Sequence, residues 1–157
     1  MEVHGVTVCT FEDDDLVLRS PPARLTCMDF DHAAAMRLGG WDPRYAVVLA
    51  TAARDGVAAA LVDTNGDGAD VDLDQYEQAA DGRWAEVSSG NCDDTGAFAT
   101  GSMALAWGRA SPRAVVTVEF RAARHTVEAT DQGWWMFVVP SRSGDVPAVV
   151  ADGGAGG

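Results

Sequence analysis

The chain has 157 residues and a formal net charge of −13, with 47% hydrophobic and 22% charged residues. These values are typical of one globular domain that buries a sizeable core, and they exclude a disordered chain, which would be poorer in apolar residues. All 11 basic residues are arginine, and the absence of lysine excludes P-loop phosphate binding, Schiff-base enzymes and lysine-dependent kinases. Because phosphate contacts need clustered basic side chains, we expect no binding to nucleic acid or to anionic membranes.

The first elements are two short strands and one helix. Val3–Phe11 is rich in valine and threonine and alternates in part, which indicates a strand, and Leu16–Arg19 is a second short strand. Asp29–Leu38 predicts a short helix, since Asp29 or Asp31 caps its start and a glycine pair follows its end.

A series of short strands follows the helix. The apolar stretch Tyr45–Ala53 and the stretch Val57–Val62 flank an Asp-Gly pair, which predicts a hairpin, although their alanine content also allows a helix. Val71–Gln78 alternates, so Val71, Leu73 and Gln75 are expected on one face and Asp72, Asp74 and Tyr76 on the other. Further strands are predicted at residues 84–88, 103–107, 115–120, 125–129 and 134–139.

This spacing of short strands favours a mainly β fold, either an antiparallel sandwich or two packed sheets with one short helix. Residues 1–144 are expected to form a single β-rich domain, with a possible subdivision near residues 89–101, where the longest polar stretch lies. Regular patterning is lost after Gly144, which predicts a flexible tail over residues 145–157.

The most specific local motif is an acidic loop that matches a calcium-binding pattern. Asp63, Asn65 and Asp67 occupy alternate positions, a glycine stands at the sixth, and Asp74 stands at the twelfth. Calcium prefers six to eight oxygen ligands, so the three alternating side chains, the carbonyl of Ala69 and the carboxylate of Asp74 form the expected ligand set. An acidic hairpin turn without an ion is the alternative, because Asn-Gly and Asp-Gly pairs also favour tight turns.

This loop resembles those of FG-GAP and VCBS repeats, which lie between strands, and that of a single EF-hand. It departs from the first pattern because Val71 replaces the last acidic ligand, and from the second because Asp74 is shorter than the usual glutamate. The resemblance implies a calcium ion that stabilises a hairpin.

Two other positions are candidates for a binding or catalytic role. Trp134 begins a run of aromatic residues on a predicted strand, where neighbouring side chains point to opposite faces. If Trp135 is buried, Trp134 is exposed as a binding surface or covered by a loop. His125 is a candidate general base, with Asp131 or Glu128 as its carboxylate partner, but no catalytic motif surrounds it.

The cysteine content and the N-terminal sequence favour a cytoplasmic protein. Cys9, Cys27 and Cys92 are an odd number without close spacing, which indicates reduced thiols. No basic region followed by an apolar stretch is found near the N-terminus, so no secretory signal is expected.

The stretch from Tyr45 to Val139 also resembles small uncharacterised proteins common in high-GC actinobacteria. The similar pieces are residues 61–65, residues 81–84 with 88–91, and residues 107–110 with 125–127 and 133–135. This resemblance implies no particular activity.

Three functions remain open from the sequence. The first is a non-enzymatic binding module, such as an immunity protein or inhibitor, whose acidic surface meets a basic protein partner. The second is a calcium-stabilised structural or adhesive module, with calcium as the only cofactor expected. The third is an enzyme with a pocket around His125. The oligomeric state is not predicted.

Overall fold

The computed structural model describes residues 30–150, so the strands expected at Val3–Phe11 and Leu16–Arg19 lie outside the described residues, as do Cys9 and Cys27. Within residues 30–150 the chain forms one helix and ten strands, which confirms a mainly β fold with a short helix. Helix α1 spans His32–Leu38, and the strands are β1 Val47–Arg54, β2 Val57–Asp63, β3 Val71–Gln78, β4 Trp84–Asn91, β5 Gly96–Ala99, β6 Met103–Arg109, β7 Val115–Phe120, β8 Ala123–Glu128, β9 Trp134–Pro140 and β10 Ala148–Val149.

The strands form three antiparallel sheets in the described part of the chain. Their strand orders are β1-β2-β3-β4, β5-β6-β9 and β10-β7-β8, which we call the first, second and third sheets. Helix α1 packs on the outer face of the first sheet, and the inner face of that sheet packs on the second sheet. The third sheet covers the remaining face of the second. The second sheet is therefore covered on both faces.

Helix α1 begins and ends as its sequence predicts. The Asp31 side chain accepts a hydrogen bond from the Ala34 amide at 2.8 Å, which caps the first turn. Buried alanines face the first sheet, and Phe30 lies just before the helix with its ring 4.8 Å from Tyr76 and 5.4 Å from Trp84. These ring contacts anchor the start of the described chain beside β3 and β4.

The alanine-rich segments are strands, which resolves the helix alternative for this region. Asp55 and Gly56 connect β1 to β2 with φ angles of 45° and 89°, the positive values that a two-residue type I′ hairpin turn requires. Every residue of β2 is buried, because the helix covers one face of the strand and the second sheet covers the other. Small alanine side chains allow both layers to approach closely.

The main core lies between the first and second sheets. Leu61 and Leu73 are directly paired on neighbouring strands and pack against Leu105, Trp107 and Met136 of the second sheet. Full burial of one leucine stabilises the fold by about 1.5–3 kcal/mol, so this layer carries much of the hydrophobic stabilisation. A second core joins the second and third sheets, with Ala106, Val118, Phe120, Trp135 and Phe137 among its buried residues.

Two boundaries differ from the sequence-based predictions. The polar stretch expected to be a loop near residues 89–101 contains the end of β4 and the whole of β5, so only residues 92–95 connect the first sheet to the second. The tail expected after Gly144 contains β10, which pairs with β7, and the amide of Val150 donates to the Thr117 carbonyl. Strand pairing from elsewhere in the chain orders these segments despite their weak local patterning.

Candidate functional site

Among residues 30–150, a cleft lies between β4 and β5, at the open side of the first and second sheets. It has a volume of about 400 Å³ and is lined by Gln75, Ser88, Cys92, Phe98 and Trp107, among others. We call it the β4–β5 cleft. Its position follows from the topology, because β4 ends the first sheet, β5 ends the second, and the short connection between them closes one end.

Gln75 places a buried amide group at the wall of this cleft. It is only 6% exposed, and it shares the inner face of β3 with Leu73 and lies opposite Ser88 of β4. Within residues 30–150, its side chain has no hydrogen-bond partner, whereas Gln78 of the same strand donates to the Gly82 carbonyl at 3.0 Å. A buried polar group without a hydrogen-bond partner lowers the free energy of unfolding by about 1–3 kcal/mol. Gln75 is therefore an exception to the rule that buried polar groups are hydrogen-bonded.

Aromatic side chains form the opposite wall. Phe98 and Trp107 meet edge to face, with ring centroids 5.8 Å apart. The indole nitrogen of Trp107 donates to the Asp93 carbonyl at 2.8 Å, and the Thr95 hydroxyl donates to the Trp107 carbonyl at 3.2 Å. A Cβ atom at Gly96 would stand 2.6 Å from the Trp107 ring, so glycine is required where β5 crosses the indole. These contacts fix the connection between the two sheets.

Burial favours the protonated form of the Cys92 thiol in the cleft. Burial is the main cause that raises its pKa to about 12, and the charges of Asp72, Asp93, Asp94 and Asp74 raise it further. The thiolate is the reactive form, so the protonated thiol that prevails at neutral pH is inert. The charges of these four carboxylates therefore all act on this side chain.

The carboxylates around the cleft lack compensating arginines. Residues 63–108 contain ten carboxylates and one arginine, whereas residues 109–145 contain five arginines and four carboxylates. Among the described ion pairs, none involves Asp67, Asp70, Asp72, Asp93 or Asp94. The end of the molecule that holds the β4–β5 cleft is therefore strongly negative.

A buried carboxylate on the outer face of the first sheet adds to this negative charge. Asp74 is 0% exposed and accepts hydrogen bonds from Trp41 Nε1 at 2.7 Å, from Ser89 Oγ at 2.6 Å and from the Tyr76 hydroxyl at 3.5 Å. Burial raises the pKa of Glu86, and the Asp74 charge raises it further. These hydrogen bonds tie the connection after helix α1, where Trp41 lies, to β3 and β4 around one carboxylate.

The acidic loop between β2 and β3 closes on itself. The Asp63 side chain accepts hydrogen bonds from the amides of Gly66 at 3.0 Å and Gly68 at 2.7 Å. The Asp67 side chain accepts one from the amide of Ala69 at 2.9 Å. Together with the bond from the Thr64 amide to the Asp70 carbonyl at 3.0 Å, these bonds hold the turn.

The structure does not bring the expected calcium ligands together. Asp63 pairs with Val71, whereas Asp74 lies three positions further along β3, opposite Ala60, so the two acids are separated by about 10 Å along the strands. They also lie on opposite faces of the first sheet, because residues an odd number apart in a strand alternate in direction. Among residues 30–150, no group of three or more histidine, cysteine or acidic side chains is arranged to hold a metal ion. Calcium binding by Asp63, Asn65, Asp67, Ala69 and Asp74 stays a prediction.

Trp134 does not present an exposed ring, which corrects one alternative for this residue. It is 5% exposed and lies in the main core, and the Arg109 guanidinium stacks over its ring at 4.3 Å from the centroid. Its neighbour Trp135 is also buried, at 4% exposure, on the other face. Both rings are buried because β9 lies in the sheet that is covered on both faces.

His125 is not paired with either predicted carboxylate. Its ring lies 5.0 Å from the Phe137 ring, and burial, followed by the nearby Arg54 charge, lowers its pKa. Asp131 and Glu128 both form ion pairs with Arg113 instead. Within residues 30–150, neither predicted carboxylate forms an acid–base pair with His125.

Comparison of the chain with protein-family models, with curated proteins and with solved structures finds no match. The resemblance of residues 45–139 to actinobacterial proteins, and that of the acidic loop to calcium-binding repeats, therefore stay predictions. In residues 30–150, no helix has the length and apolar character needed to cross a bilayer.

Sequence reasoning missed the β4–β5 cleft, although one signal for it was present. The alternation of β3 placed Gln75 on the same face as Val71 and Leu73, and a polar residue on an apolar face is unusual. Phe98 and Trp107 carried no such signal, because they meet through the pairing of β5 with β6, and β5 was not predicted as a strand.

Proposed function

We propose that this protein is a non-enzymatic binding module whose acidic β4–β5 end binds a basic protein partner. The observation that carries the proposal is the group of carboxylates around the cleft that form no ion pair with any arginine in the described part of the chain. Clustered like charges destabilise a fold, and a partner of opposite charge relieves that repulsion. An immunity-type or inhibitor-like role fits this description, and a cytoplasmic location stays a prediction.

The chemistry of the other candidate residues supports binding over catalysis. Cys92 is held as a protonated thiol, and His125 lacks a carboxylate partner among the described residues. Neither supplies the activated nucleophile or the general base that enzymatic hydrolysis or transfer requires.

The proposal is tested with a soluble arginine-rich peptide as the probe. Binding to the full chain is measured by fluorescence anisotropy at low salt and at physiological salt. We expect a variant with Asp93→Asn and Asp94→Asn to bind about tenfold more weakly than the unmodified chain, because two uncompensated charges near the cleft are removed.

The matched control carries Asp55→Asn and Glu119→Gln, which removes two charges far from the cleft. Asp55 lies in the β1–β2 turn at the opposite end of the first sheet, and Glu119 lies in the third sheet. This variant is expected to retain nearly the full affinity. Equal losses in the two variants would mean that the peptide responds only to net charge, and the proposal would fail.

A further inference from the structure

The two strands beside the β4–β5 cleft have free edges in the described part of the chain. Strand β4 pairs with β3 alone, and β5 pairs with β6 alone. After Trp84, every residue of β4 is exposed. The segment Ser88–Asn91 follows the bulge in this strand and contains no charged residue or proline, so it lacks the features that usually protect an edge from pairing.

The unpartnered amide of Gln75 lines the same cleft as residues Ser88–Asn91 of this strand. A carboxamide offers one acceptor oxygen and two N–H donors, the complement of a peptide group. Because Gln75 is 6% exposed, bulk water reaches it poorly, and a bound segment that supplies a C=O and an N–H would satisfy it. This buried amide is independent of the acidic residues and points to a ligand with its own amide groups.

The charge and the apolar surface of the cleft restrict that ligand further. Asp93 lines the cleft, and Asp72 and Asp94 lie close enough to act on the Cys92 thiol beside it. Leu73 and Phe98 provide apolar surface within the same cleft. An extended chain presents alternate side chains to opposite sides, so one set fits the apolar wall while the other meets the carboxylates.

Building on the proposed binding function, we propose that the partner enters the β4–β5 cleft as an extended segment with alternating apolar and basic residues. Its backbone pairs with the free edge of β4, one of its peptide groups bonds to the Gln75 amide, and its arginine or lysine side chains meet Asp93 and neighbouring carboxylates. This is recognition by strand addition, in which main-chain hydrogen bonds give affinity and alternate side chains give specificity.

The test uses a synthetic peptide of alternating valine and arginine and two versions of it that are N-methylated along one edge or the other. All three have the same charge, but each methylated version loses the N–H donors of one edge. We expect one methylated version to bind the full chain at least about tenfold more weakly than the parent peptide, and the other to bind normally, because only one edge pairs with β4.

The second arm tests Gln75 directly with the near-isosteric change Gln75→Met. This variant is expected to bind the parent peptide about tenfold more weakly while its melting temperature stays the same or rises, since a buried unpaired amide is removed. The control, Gln78→Met, changes the same residue type in the same strand outside the cleft lining and should leave peptide affinity unchanged. A merely structural role for Gln75 would not separate affinity from stability in this way.

The outcomes separate this inference from the proposed function. If both methylated peptides and the Gln75→Met variant bind normally while Asp93→Asn with Asp94→Asn weakens binding, the contact is electrostatic, and only strand addition is overturned. If no basic peptide binds even at low salt, both proposals fail. Amides of β4 that do not pair with β3 but still resist hydrogen exchange in the free protein would show that another part of the chain or a second copy already covers the edge, which also overturns this inference.

Discussion

The first and third sheets differ in how their acidic side chains are paired. Beside the third sheet, three exposed acids pair with arginines: Glu128 and Asp131 with Arg113, and Asp145 with Arg121. Around the outer strands of the first sheet, most carboxylates have no such partner, and the β4 edge is free in the described residues. Arginines thus neutralise acidic side chains beside the third sheet, while the first sheet has a cluster of carboxylates without arginine partners at one end.

The largest effect is expected from the buried carboxylate of the first sheet. Asp74→Ala leaves the Trp41 and Ser89 donors unpaired and opens a cavity, so we expect a loss of about 3 kcal/mol in the free energy of unfolding. The matched change beside the third sheet, Asp131→Ala in the β8–β9 connection, removes an exposed ion pair with Arg113 and should cost no more than a few tenths of a kcal/mol. Urea denaturation of both variants measures the difference, and equal losses would contradict the contrast between the two sheets.

A smaller effect of opposite sign is expected at Gln75. Gln75→Met removes the unpaired amide and keeps the side-chain length, so we expect the free energy of unfolding to rise by about 1 kcal/mol. Gln78→Met removes a satisfied hydrogen bond to Gly82 and should lower it by a similar amount. If Gln75→Met destabilises the protein as well, the amide has a partner that stabilises it.

The pH dependence of the acidic end follows from the raised pKa of Glu86. Burial, together with the Asp74 charge, makes the folded protein bind a proton at Glu86 more readily than the unfolded chain does. Its contribution is therefore fully present below the unfolded pKa of about 4.3 and is lost as the pH rises through the higher folded pKa.

The variant Glu86→Gln tests the direction in which this contribution to stability changes with pH. Because Glu86 is largely exposed to solvent, the variant should be more stable than the unmodified chain at pH 7 by only about 0.3 kcal/mol. That advantage should vanish below the unfolded pKa. Urea denaturation across this range measures it, and a variant that is less stable at pH 7 would show that Glu86 has a favourable partner.

The smallest effect on stability is expected from the addition of calcium. The loop between β2 and β3 closes through hydrogen bonds to Asp63, and Asp74 lies on the other face of the sheet, so no ion is needed to hold the turn. We expect no change in the melting temperature when calcium is added at millimolar concentration. A clear rise that Asp67→Asn abolishes would establish a calcium site and favour the calcium-stabilised module.

The local features of the fold were predictable from the sequence because they depend on near neighbours. The Asp-Gly turn at residues 55–56, the cap at Asp31 and the alternation of Val71–Gln78 all follow from short-range rules. The pairing of β6 with β9 and of β10 with β7 joins distant segments, which local patterning does not encode.

The candidate site was also predictable only where it depends on near neighbours in the sequence. The calcium-binding motif was recognised from the spacing of residues along the chain. Because the segment after the loop is the strand β3, Asp74 lies on the opposite face of the sheet from Asp63. Neighbouring tryptophans at 134 and 135 do point to opposite faces, yet both are buried because a third sheet covers the second. The polar Gln75 on an inner face was visible in the sequence, and only the surrounding sheets show that it lines a cleft.

The most direct test of the binding account is a nuclear magnetic resonance titration of the full, isotope-labelled chain with the valine–arginine peptide. The account predicts that the amide signals of β4, β5 and residues 92–95 shift, together with the side-chain amide of Gln75, while the signals of β7 and β8 stay in place. Shifts centred on β7 and β8, or no shifts at low salt, would contradict it.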